Sequence, residues 1–112
     1  MKKNKNHIQQ GDVLVSLVSE LPAGCRRIKR DARGVVLAEG EHTGHFHGSQ
    51  DGGLALMEAP DGRKFLVNEG EKEATVTHQE NKPIVIPAGS VAELGIVREY
   101  DWFSRMVRPV MD

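Results

Sequence analysis

Apolar positions come in short runs along this chain, separated by glycine, proline, asparagine and aspartate. No apolar stripe of period 3.6 lasts long enough to predict a helix, whereas runs at roughly 8–12-residue intervals with turn signals between them are the pattern of a β-sandwich or barrel. "DVLVSLVSE" (Asp12–Glu20) predicts a first strand, broken by Pro22 and Gly24. "CRRIKRDARG" reads as a short strand or a loop, and "VVLAEGE" (Val35–Glu41) as a strand. "GHFHG" predicts a short strand between glycines. "LALMEA" and "RKFLVN" flank "PDG" (Pro60–Gly62), a hairpin signal. "EATVTHQE" (Glu73–Glu80) alternates as a strand does; "IVIPAG" is ended by Pro87 and Gly89; "SVAELGIVREY" is the last long strand. "DWFSRMVRPVMD" holds at most one helical turn, capped by Asp101, before Pro109.

These elements predict an all-β fold in one domain, an antiparallel β-barrel or sandwich over residues 11–112 behind a flexible tail over residues 1–10. The length of 112 residues suits one domain with one modest core. A net charge of −1 predicts no strong pull toward nucleic acid or membrane, but it hides an asymmetry. Residues 1–35 carry eight Lys/Arg and three Asp/Glu, the remainder seven and thirteen. The basic stretch Cys25–Arg33 admits phosphate contact, yet aromatics make up only 4% of the chain, so a base-stacking nucleic-acid module is not expected. Cys25 stands alone, which excludes an intrachain disulfide and fits a reducing compartment. The basic, polar opening lacks the apolar segment of a signal peptide, and no run approaches ~20 apolar residues, so a cytoplasmic location without a membrane span is expected.

The candidate chemistry lies in "GEHTGHFHG", which holds three of the five histidines. Residues two apart in a strand share a face, so His45 and His47 project together, with Phe46 opposite. In "ATVTHQE" the residues Ala74, Val76, His78 and Glu80 share one parity, and the apolar stripe of that strand ends in an imidazole and a carboxylate. The expected metal ligands are therefore His45, His47, His78 and Glu80, with Glu80 as fourth ligand or base. Three nitrogens and one oxygen around an open position suit a catalytic-type divalent transition metal such as zinc, iron, nickel or manganese. His42 has the opposite parity unless Gly44 bends the strand, and His7 falls in the tail. The other reading is a non-catalytic binding or assembly module in which the histidines are structural. A small-molecule ligand and a homodimer are the partners considered. No P-loop, Rossmann fingerprint, GxSxG or CxxC pair is present.

"GEHTGHFH", followed about thirty positions later by "HQENKPIVIPAG" and then by "REY", resembles a group of small bacterial and phage-associated proteins. Their cores read roughly G-E-x-T-G-H-x-H, then H-E-E-H-x-P-I-x-L-P-x-G, then Q-R-E-Y, and cupin-like folds have been attributed to them. The resemblance covers about residues 35–112 and implies a cupin-like fold with His45, His47, His78 and Glu80 at its site. It also implies a supporting role for Arg98, Glu99 and Tyr100. This chain departs from the pattern at Asn81, where the group has a second histidine, and at His42, where a small apolar residue is commoner. The two-motif metal site of cupins is not reproduced: no glutamate follows His47 closely, and Ala92 stands where a third histidine is expected.

Overall fold

The computed structural model describes residues 7–40 and 44–96. His42, Arg98, Glu99, Tyr100 and the expected helical turn after Asp101 lie outside the described residues. The described chain is all β, with ten strands: β1 (His7–Gln10), β2 (Val13–Val18), β3 (Arg26–Ile28), β4 (Val35–Glu39), β5 (Phe46–Ser49), β6 (Leu54–Glu58), β7 (Lys64–Asn68), β8 (Ala74–Val76), β9 (Ile84–Ile86) and β10 (Val91–Ile96). None of it is a helix long and apolar enough to cross a membrane.

Six strands form one antiparallel sheet in the order β1-β2-β10-β7-β6-β3, and β4-β5 and β8-β9 form two smaller antiparallel pairs. A bridge between Gly48 and Thr77, with N···O distances of 3.0 and 2.8 Å, joins the two pairs along β5 and β8. The alternation that predicts the strands also builds the core. Val13 and Val15 of β2, Leu54 and Leu56 of β6, and Leu66 of β7 point from the large sheet. Val35, Ala74, Val76, Ile84 and Ile86 meet them from the small pairs. Each fully buried valine, leucine or isoleucine among them contributes about 1.5–3 kcal/mol.

Three features depart from the expectation. The tail expected over residues 1–10 contains a strand at its inner end, where His7–Gln10 pairs with Val13–Ser16. Gly11, the first residue of the two-residue turn, has φ 59°, the left-handed value that a tight hairpin turn requires there. The strand expected over Glu73–Glu80 ends at Val76, because the Thr77 backbone turns to pair with Gly48. The strands do not close into one hydrogen-bonded barrel among the described residues. The six-stranded sheet ends at β3 and the small pairs end at β4; the turn between them is held by the Asp31–Gly34 bridge, but no backbone bond joins the strands β3 and β4 themselves. The opposite seam, between β1 and β8-β9, is closed by side chains.

Candidate functional site

The closed seam is where the histidines meet. His47 sits in β5 with its side chain almost wholly buried, and His45 immediately precedes the strand, half-buried. His78 follows β8, also half-buried. The His47 and His78 rings lie 4.3 Å apart between centroids with a 31° tilt, and the His45 and His78 rings 5.6 Å apart, edge to face. The Gly48–Thr77 bridge between β5 and the end of β8 thus brings together the three expected imidazoles. Glu80 lies at the edge, its Oε2 3.9 Å from His45 Nδ1 and its side chain 72% exposed.

The hydrogen bonds fix which nitrogen carries the proton. Gln10 is buried at 2% exposure and donates from Nε2 to the Val76 carbonyl at 3.0 Å and the Lys82 carbonyl at 2.8 Å. Its Oε1 is therefore an acceptor, and His47 Nδ1, 2.8 Å away, must donate to it. In the neutral ring the lone pair then sits on Nε2, which faces Asp12 Oδ1 at 3.2 Å. His78 is the other tautomer. Its Nδ1 accepts from the Glu80 backbone N–H at 3.1 Å and from Asn81 Nδ2 at 3.0 Å, so neutral His78 carries its proton on Nε2. Burial holds His47 below the ordinary histidine range, and the neighbouring His78 adds to this, while Asp12 pulls in the opposite direction.

The residues around the rings were not singled out by sequence reasoning. Gln10, Gly11 and Asp12 form the β1–β2 turn, which wraps the edge of His47. A Cβ on Gly11 would lie 2.7 Å from Asn81 Nδ2 and 3.2 Å from His47 Cε1, so the turn approaches as closely as only glycine allows. Gln79 Oε1 accepts the Phe46 N–H at 2.8 Å and ties the segment after β8 to the start of β5. The available signal was "QGD", a glycine between polar residues just ahead of a strand. Nothing in the sequence links it to Lys82.

A transition metal shared by these imidazoles is a poor fit to this arrangement. A shared ion at His78 would need a lone pair on the nitrogen that carries the proton, or the loss of the Glu80 and Asn81 bonds to Nδ1. Among the described residues no group of three His, Cys, Asp or Glu side chains is arranged so as to hold a metal ion.

The basic stretch is largely neutralised within the chain. Arg26 pairs with Glu58, Arg27 with Glu69 at 2.9 Å, and Arg33 with Asp31 at 2.7 Å and Glu39 at 2.9 Å. Arg30 donates to the carbonyls of Asp51 and Leu54. Asp31 and Glu69 are held below the usual carboxylate range, chiefly by their hydrogen bonds to Arg33 and Arg27.

A family model described as a domain of unknown function, DUF8820, matches residues 9–92. The chain belongs to this family. Neither the curated proteins nor the solved structures contain a match. The matched span of the DUF8820 domain takes in the β1–β2 turn, both strands that present the histidines, and Asn81.

Proposed function

We propose that this DUF8820 domain is a non-catalytic binding or assembly module whose histidine cluster fastens one seam of the fold. One observation carries the proposal: Gln10 spends both its donors on strand and turn carbonyls of the β8-β9 unit and its acceptor on His47. One side chain of β1 thereby connects the large sheet, β5 and β8-β9. The His47 ring that completes the bridge is oriented through its Nδ1–H on Gln10, while the Nε2 lone pair of the neutral ring faces the Asp12 carboxylate with no proton between them. Such a network rigidifies a seam when every member is satisfied, and no buried side-chain polar atom lacks a partner among the described residues. A metal centre with His45, His47, His78 and Glu80 as ligands is the competing proposal, supported by the convergence of the three rings.

Thermal unfolding of the tag-free protein and of the His45→Ala, His47→Ala double variant separates the two. Each is measured with chelator and with zinc, nickel, manganese or ferrous ion. The fastening role predicts a lower Tm for the variant and no metal-dependent shift in either protein. A rise in the wild-type Tm that saturates near one ion per chain, and is abolished in the variant, would establish the metal centre instead.

A further inference from the structure

The seam opposite the histidines is open, and its shape fits one kind of occupant. Two adjoining clefts of about 300 and 380 Å³ share Ile28 of β3, Val36 and Leu37 of β4, and Leu56 of β6, forming one groove between the β3 and β4 edges. The register of β4 on β5 slips between Val36 and Ala38, so strict alternation is broken and two successive apolar residues, Val36 and Leu37, line the groove. Both flanking strands are edges: β3 pairs only with β6, and β4 only with β5. An extended segment entering there meets open main-chain edges and an apolar floor.

The charges at the rim select the segment. Three carboxylates line the groove, and each is held by an arginine of this chain: Glu58 by Arg26, and Asp31 and Glu39 by Arg33. The two lysines that line it, Lys29 and Lys64, have no ion-pair partner among the described residues. Because Asp31 and Glu39 share Arg33, the four basic and three acidic side chains of the lining leave the groove a net charge of +1.

We infer that the β3–β4 groove is a docking site for an extended peptide segment of a partner protein, with apolar side chains facing Ile28, Leu37 and Leu56 and carboxylates reaching Lys29 and Lys64. The segment adds a strand to an open edge, main-chain hydrogen bonds supplying affinity and the side chains supplying selection. This inference rests on the binding-module proposal and names the class of partner.

The test uses the full chain and fluorescein-labelled seven-residue peptides that alternate valine and threonine. One carries glutamate at both ends, one carries lysine at both ends, and one repeats the glutamate peptide with alternate backbone nitrogens methylated. Fluorescence anisotropy should show saturable binding of the glutamate peptide, weakened about ten-fold or more by methylation and by the Lys29→Glu, Lys64→Glu double variant. The double variant should bind the lysine peptide in its place. Absence of saturable binding, or binding indifferent to both lysines, would overturn the inference. So would concentration-dependent dimerisation that Leu37→Asp abolishes, because the occupant would then be a second copy of this chain. Failure of the peptide titration leaves the metal-independent Tm loss of the histidine variant untouched, so the two proposals fail separately.

Discussion

His47 donates from Nδ1 to the Gln10 side-chain oxygen at 2.8 Å, across 37 residues of sequence and between two sheets that share no strand. Because Gln10 is itself anchored to Val76 and Lys82, the imidazole is held in one tautomer and one orientation.

Replacing Gln10 by alanine strands the buried Val76 carbonyl, the part-buried Lys82 carbonyl and the His47 N–H together. Buried polar groups left without partners cost about 1–3 kcal/mol each, so Gln10→Ala should destabilise the fold by roughly 3 kcal/mol. Urea unfolding of the two single variants and of Gln10→Ala, His47→Ala should give a non-additive cycle, with a coupling of about 1–2 kcal/mol. Additive losses would mean that the two side chains act independently.

Stability should fall as pH drops below the ordinary histidine value of about 6.5. The folded His47 takes up a proton less readily than the unfolded chain does, since burial and His78 outweigh Asp12. Between the unfolded value and the lower folded value the unfolded state therefore binds more protons, and acid favours unfolding there. His47→Gln should flatten the slope of stability against pH between 7 and 5. An unchanged slope would place the titrating group elsewhere.

Gly11→Ala should cost more than Gly62→Ala, although both glycines have positive φ, 59° and 94°. A Cβ at Gly62 meets open space, so that variant bears only the backbone strain, about 1 kcal/mol. At Gly11 the same atom also presses on Asn81 and His47, which should raise the loss to about 2–3 kcal/mol in urea unfolding. Equal losses would show that the turn can move away from the ring without cost.

Much of the strand pattern was legible because period-two alternation is a local property. The "PDG" turn joins β6 and β7 as expected, with Ala59 and Arg63 bonded across it at 2.8 Å. The His78 ring lies beside those of His45 and His47, although β8 ends at Val76 and the alternation does not itself carry to His78. The supporting shell was not legible. In "HIQQ" only Ile8 is apolar, so nothing local marks a strand; pairing with Val15 and Ser16 of β2 supplies it. Gln10 and Lys82 are brought together by topology alone, 72 residues apart. Glu80 was assigned inward by extending the alternation past Val76, but Thr77 leaves β8 to bridge Gly48 and the parity ends there. Closure of the barrel was expected from the number of strands. The open β3–β4 seam depends instead on where the sheets end, which hydrophobic alternation does not encode.

The central claim is that His47 Nδ1 and His78 Nδ1 are both committed to protein hydrogen bonds, one as donor and one as acceptor, and the imidazole nitrogens report it directly. Long-range ¹H–¹⁵N correlation spectra at neutral pH should show His47 protonated on Nδ1 and His78 protonated on Nε2. Addition of one equivalent of zinc should leave both patterns unchanged. His78 protonated on Nδ1, with its Nε2 resonance and that of His47 moving together on adding zinc, would contradict the account and make the cluster a metal centre.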